Sequence, residues 1–184
     1  MKKPNLINSI KSKEAKIGII GLGYVGLPLS ICFSQKGFQV IGFDIDEKKV
    51  KFLNAGESYI KHINKTDIAN MASTSFKATT NFNKISNIDV IIICVPTPLG
   101  VHNEPDLSFI HDTMDSIKPY LKENQLLVLE STTYPGTTEE ELLPIIKSIP
   151  ANQKFQANSD FTGDMVGNIR NPKSKFIIGN NYFI

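Results

Sequence analysis

Gly21, Gly23 and Gly26 stand in the run G-L-G-Y-V-G, and Asp44 follows the last of them by eighteen residues. These residue types at this spacing are suited to holding a pyrophosphate and a ribose. The first glycine permits a tight turn, the second lets the backbone approach a pyrophosphate, and the third allows close packing of a helix. The anion would then rest on the helix N-terminus, where free N–H groups and the positive end of the dipole point at it. All the basic residues but Arg170 are lysines, so bidentate arginine clamps are scarce and backbone amides must do most of any phosphate binding. An acid at position 44 would take the two ribose hydroxyls and repel a 2′-phosphate, which points to NAD, although Lys48 and Lys49 nearby leave NADP open. The competing explanation is a glycine-rich turn without a nucleotide and an ordinary turn aspartate. The register of motif, element order and acid weighs against it.

Two further stretches carry hydroxyls. Pro96-Thr97-Pro98 is a stiff turn that would hold Thr97 at the end of a strand, where it could meet a cofactor. Ser131-Thr132-Thr133-Tyr134-Pro135-Gly136-Thr137-Thr138 could orient a substrate alcohol or a water, with Glu130 the one strong base beside it. From spacing alone, turn chemistry and helix capping by Thr137 or Thr138 explain these stretches as well.

The elements that must position these residues alternate along the chain. Lys16 to Ile20 is a short apolar run ended by glycines, followed by a helix over Tyr24 to Lys36 whose Val25, Leu29, Ile31, Cys32 and Phe33 form a wide apolar face. Gly37 stops that helix, and a strand from Phe38 to Phe43 closes a βαβ unit at Asp44. Asp46 caps a helix over Glu47 to Leu53. Residues 54–75 are polar with scattered apolar positions and read as a loop with a possible short helix. A short strand near Phe76 to Thr79 and a small helix over Phe82 to Ile85 precede Asp89 to Val95, a strand apolar on both faces. Asp106 or Ser108 opens a helix reaching about Lys118, Leu126 to Glu130 is another buried strand, Thr138 to Lys147 a further helix, and Lys175 to Ile178 a terminal strand. Strands alternating with helices require crossover connections, so the expected class is α/β: a doubly wound, mostly parallel Rossmann sheet with helices on both faces.

At 184 residues, with 41% hydrophobic and 21% charged residues, the chain has room for about one globular domain. Residues 1–12 are expected to be a flexible leader, and 13–184 the dinucleotide-binding domain. A net charge of +2 offers no field that nucleic acid or an anionic membrane would select. The longest apolar run, Val90 to Val95, falls far short of the roughly 20 residues of a transmembrane helix. Cys32 and Cys94 lie in apolar segments and read as buried thiols of a cytoplasmic protein. His62, His102 and His111 make no ligand spacing and read as surface residues, so no metal site is expected. Glu139, Glu140 and Glu141 would complement a helix dipole, and Lys48, Lys49 and Lys51 a solvated helix face.

The segments GLGYVGLPLS, FDID, CVPTP with the following EPDLS, and ESTTYPGTTEEELLP occur together and in this order. In this the chain resembles the N-terminal NAD-binding domain of the UDP-glucose/GDP-mannose dehydrogenase family from about Lys16 to Gly179. Tyr134-Pro135-Gly136 is most similar to the branch acting on UDP-N-acetylhexosamines. The resemblance implies NAD-dependent oxidation of a nucleotide-sugar C6 alcohol to a carboxylate, for polysaccharide biosynthesis, by two successive hydride transfers. It places Gly21, Gly23, Tyr24, Val25 and Gly26 at the pyrophosphate, Asp44 at the adenosine ribose and Thr97 along the dinucleotide. It places Thr132 beside the reacting centre and its water. The family's cysteine nucleophile, lysine and asparagine fall downstream of these segments, and neither Cys32 nor Cys94 matches that nucleophile. Where the family usually carries a Pro-Glu pair, the chain has Asn158-Ser159-Asp160-Phe161, making Asp160 the candidate acid–base carboxylate, one methylene shorter. Full-length relatives are expected to be homo-oligomers, and this chain is expected to be a truncated cofactor half, inactive alone. A non-catalytic NAD-binding module or partner subunit is the alternative. A β-hydroxyacid dehydrogenase of the 6-phosphogluconate type shares the glycine turn but leaves the PTP and STTYPGTT segments unexplained.

Overall fold

A computed structural model describes residues 6–100, 104–122 and 124–149, with the backbone of 177–180. His102 and Asp160 lie outside the described residues. Among the described residues six strands form one sheet: β1 Lys16–Ile20, β2 Gln39–Phe43, β3 Lys77–Thr79, β4 Val90–Ile93, β5 Leu126–Leu129 and β6 Ile177–Asn180. Their order is β3-β2-β1-β4-β5-β6, and every neighbouring pair is parallel. The chain runs outward from β1 to β3 on one side and returns to β4 on the other side of β1. The loops after β1 and β4 therefore diverge, and a cleft opens between them, where ligands of such sheets bind.

Alternation along the strands divides the core in two. Ile17 and Ile19 of β1, with Val90 and Ile92 of β4, join Leu27, Ile31, Ile68 and Met71 on one face. Ile20, Ile91 and Ile93 join Ile110, Met114, Ile117 and Ile146 on the other. Both faces of β1 and β4 are thus covered, as their unbroken apolar runs require. The covering helices are α1 Leu6–Lys11, α2 Gly26–Gln35, α3 Glu47–Asn54, α4 Lys65–Ser73, α5 Ser108–Ile117 and α6 Leu143–Lys147. The Thr138–Leu142 turn leading into α6 is a π-helix.

Two expectations need correction, one in the leader and one in α2. Part of the expected flexible leader is helical: Leu6 and Ile10 of α1, one turn apart, pack against the β1 core. The 54–75 stretch carries, as its short helix, α4, capped by the Asn64 side chain, which accepts from the Thr66 N–H, and anchored by buried Ile68 and Met71. Helix α2 turns Leu27, Ile31, Ser30 and Ser34 inward, which leaves Cys32 and Val25 exposed while Cys94 is buried.

Candidate dinucleotide site

Strand β1 delivers the glycine run to the mouth of the cleft. Gly21 has φ +89°, and a Cβ there would lie 2.7 Å from the Cys94 carbonyl oxygen, so the turn needs glycine on both counts. At Gly26 a Cβ would come within 1.9 Å of the Gly21 carbonyl oxygen. Gly23 differs: nothing lies within 4 Å of its Cβ position. That open space is where a pyrophosphate can approach the backbone. Helix α2 begins just beyond it with Val25 at its cap and no side-chain hydrogen bond to its first turn. Within α2 the Leu27 N–H donates to the Gly23 carbonyl at 3.1 Å and Pro28 carries no N–H, so the backbone donors offered to an anion are those that precede Leu27.

Asp44, at the end of β2, is 5% exposed. Its Oδ2 accepts from the Leu22 N–H at 2.9 Å and from Lys49 Nζ at 3.1 Å, and its Oδ1 accepts from the Asp46 N–H at 3.0 Å. Lys49 therefore belongs to the site rather than to a solvated face, which Lys51 does fit through its exposed pair with Glu47. A buried carboxylate at the cleft, held by backbone donors, suits a ribose diol, and the open Gly23 position suits the phosphates. The residues present thus fit a dinucleotide.

The cleft, of about 640 Å³, is lined by Gly21, Gly23, Tyr24, Val25, Asp44, Thr97 and Thr132, together with Ile45, Phe82, Cys94 and Phe109. Gly26 packs behind the turn. Of the residues proposed from sequence for the cofactor and the chemistry, Asp160 lies outside the described residues. On the β4–β5 side the two hydroxyl-bearing loops are stitched together. Thr97 Oγ1 donates to the Thr132 carbonyl at 2.6 Å, and Ser131 Oγ donates to the Val95 carbonyl at 2.8 Å. The Thr97 proton offered to a cofactor is thus engaged by the neighbouring loop, and its oxygen keeps only acceptor capacity. Thr137 Oγ1 donates to the Tyr134 carbonyl at 2.8 Å and does not cap the helix. Burial, with a further push from Glu130, raises the Cys94 thiol pKa to about 12, so this cleft thiol stays protonated and unreactive.

Four contacts were missed at the level of sequence. Glu141 does more than complement a dipole: its Oε2 lies 2.9 Å from His111 Nε2, and its Oε1 accepts from the Tyr134 hydroxyl at 3.1 Å. His62, exposed, stacks on Tyr24 with ring centroids 5.6 Å apart. The Tyr59 hydroxyl donates to the Leu22 carbonyl. Only the i, i+7 spacing of Tyr134 and Glu141 could have been noticed in advance. The other partners are brought together by the sheet.

A profile of the UDP-glucose/GDP-mannose dehydrogenase family, NAD binding domain, matches residues 15–173. The chain belongs to the UDP-glucose/GDP-mannose dehydrogenase family. Its match is to the NAD-binding domain of that family, and NAD is the cofactor. Among curated relatives, the UDP-N-acetyl-D-glucosamine 6-dehydrogenase of Pseudomonas aeruginosa is 34% identical over 149 residues, 81% of this chain and 34% of that protein. The UDP-N-acetyl-D-mannosamine dehydrogenase of Escherichia coli K12 is 38% identical over 130 residues, 68% of this chain and 30% of that protein. These relatives fall in the N-acetylhexosamine branch indicated by Tyr134-Pro135-Gly136. Among solved structures, GDP-mannose dehydrogenase from P. aeruginosa superposes with a TM-score of 0.74 at 28% identity, covering 90% of this chain and 35% of that one. The UDP-N-acetyl-mannosamine dehydrogenase Cap5O of Staphylococcus aureus superposes with 0.66 at 33% identity, covering 72% and 32%. The chain spans about a third of the length of the dehydrogenases it matches. Among the described residues, no helix is long and apolar enough to cross a membrane.

Proposed function

We propose that this NAD-binding domain serves a cytoplasmic dehydrogenase that oxidises the C6 alcohol of a UDP-N-acetylhexosamine to a carboxylate. The observation that carries this is the single cleft in which an open glycine turn, the buried Asp44 carboxylate and the stitched Thr97–Thr132 loops meet. NAD, when bound, supplies the hydride acceptor. The backbone from Gly21 to Gly26 holds its pyrophosphate, with Tyr24 and Val25 forming the exposed lip, and Asp44 accepts hydrogen bonds from its ribose. Thr97 lines the dinucleotide and fixes the backbone of Thr132, so that the Thr132 side chain is presented at the cleft to position a water beside the reacting carbon. Asp160 supplies the carboxylate for proton transfer in this proposal. The high pKa of Cys94 argues against a nucleophilic role for that thiol, which agrees with the family's cysteine falling downstream.

Two measurements test the proposal. An NADH titration should show Asp44→Ala binding roughly thirtyfold or more weakly than wild type, because a charged acceptor is lost and the buried Leu22 N–H and part-buried Asp46 N–H are stranded. Equal affinities would remove Asp44 from the site. NADH formation from UDP-N-acetylhexosamines should be absent with this chain alone and appear when the family's downstream half is supplied as a second polypeptide. Dinucleotide binding with no activity in either mixture would instead identify a non-catalytic NAD-binding module.

A further inference from the structure

The centre of the glycine turn is held from two directions. Leu22 is fully buried, its N–H donates to Asp44 Oδ2, and its carbonyl accepts from the Tyr59 hydroxyl. Tyr59 comes from the segment between α3 and α4, thirty-seven residues further along the chain. That segment is anchored beside the turn. Ile60 is buried, Ser58 Oγ donates to the Ile60 carbonyl at 2.9 Å, and the His62 ring stacks on Tyr24. Lys49 Nζ, paired with Asp44, lies 6.0 Å from the centroid of the Tyr59 ring. Tyr59 itself is not among the residues lining the cleft. The ring can act on the cleft through Lys49, but the hydroxyl acts through the Leu22 carbonyl that it holds.

The Leu22 carbonyl and the Gly23 N–H belong to one planar trans peptide unit and point in opposite directions. Fixing the carbonyl fixes the N–H. The restraint matters here because the unit ends on a glycine, whose backbone is the least restricted of any residue. Without the Tyr59 hydroxyl, the Leu22–Gly23 peptide plane could rotate and carry its N–H away from the open side of the turn. Burial, and then the negative charges of Asp44 and Asp46, push the Tyr59 pKa well above the ordinary tyrosine value. The hydroxyl accordingly remains a donor throughout the physiological pH range.

We infer that Tyr59 is a positioning residue for the pyrophosphate: its hydroxyl orients the Leu22–Gly23 peptide so that the Gly23 N–H faces the phosphate seat. This rests on the glycine turn being that seat. The test is calorimetric titration of wild type and Tyr59→Phe with ADP-ribose, which contains the pyrophosphate, and with adenosine, which does not. Tyr59→Phe keeps the ring against Lys49 and removes only the donor. ADP-ribose affinity should fall roughly five- to tenfold, while adenosine affinity stays within about twofold. Unchanged ADP-ribose affinity overturns the inference and leaves the seat intact. An equal loss for both ligands also overturns it, by showing general damage to the fold. Failure of the wild-type chain to bind ADP-ribose would overturn the seat itself and the role of Tyr59 with it.

Discussion

On the β1–β2 rim of the cleft, the glycine turn is fastened by a buried carboxylate that takes one N–H from Leu22 and another from Asp46 and pairs with an ammonium. On the β4–β5 rim, the Thr97 and Ser131 loops are joined by bonds from neutral hydroxyls to carbonyls, and Thr132 is exposed. Hydrogen bonds involving an ionised group are roughly twice as strong as neutral ones, and a low local dielectric strengthens them further. The first rim therefore has its shape before any ligand arrives. The second is held by weaker bonds that water can replace, which suits the role proposed for it, presenting hydroxyl side chains to a sugar. Rigidity is concentrated on the rim proposed to aim N–H groups at a pyrophosphate.

Substitutions on each rim can break or sharpen this contrast. The largest effect is expected from Gly26→Ala, whose Cβ would sit 1.9 Å from the Gly21 carbonyl oxygen in a turn with no freedom to shift. It should cost about 3 kcal/mol in urea unfolding and abolish NADH binding. A Gly26→Ala protein of normal stability that still binds NADH would show that the first rim is as adaptable as the second. Thr97→Val removes one neutral bond and should cost about 1 kcal/mol by thermal unfolding, with NADH affinity changed by no more than about threefold. A loss comparable to that of Asp44→Ala would erase the contrast. The smallest effect is expected from Glu141→Gln, which should shift stability by no more than about 0.5 kcal/mol at neutral pH. Its signature lies at high pH. Desolvation, then the bond to Glu141 and the charges of Glu141 and Glu140, raise the Tyr134 pKa above its ordinary 10.0. The resulting stabilisation is complete below pH 10.0 and is lost as pH climbs through the raised value. The stability gap between wild type and Glu141→Gln should narrow across that interval in pH-dependent melts; a constant gap would mean that Glu141 does not hold the Tyr134 proton.

The first rim was largely legible in the sequence because its parts are local: a strand, three glycines, a helix and a strand ending in Asp44 lie within thirty residues. The parallel, doubly wound class followed from the alternation of apolar runs with helices, and β4 was apolar on both faces, as a strand covered by two layers must be, whereas the order of the strands was not read from the sequence. The segment carrying Tyr59 was not legible. Its polar residues read as a loop because the bond that matters reaches thirty-seven residues back to a main-chain carbonyl, and a carbonyl has no residue type to betray it. The same holds for Thr97, whose hydroxyl reaches the Thr132 carbonyl. His111 and Glu141 stand thirty residues apart on elements whose approach depends on the packing of α5 against the sheet. Lys49 was seen as one of a lysine cluster, and only the position of the Asp44 carboxylate separates it from Lys48 and Lys51.

Counting lone pairs at Asp44 gives its arrangement a further meaning. A carboxylate offers about four acceptor sites, and the Leu22 N–H, the Asp46 N–H and Lys49 Nζ occupy three of them. A ribose brings two hydroxyl donors and finds one vacancy. The two backbone donors are fixed by the fold, whereas the Lys49 side chain is 34% exposed and can turn toward water. If Asp44 takes the ribose as proposed, full engagement of the diol would displace the ammonium from it, making ribose capture an exchange of donors on one carboxylate rather than a simple addition.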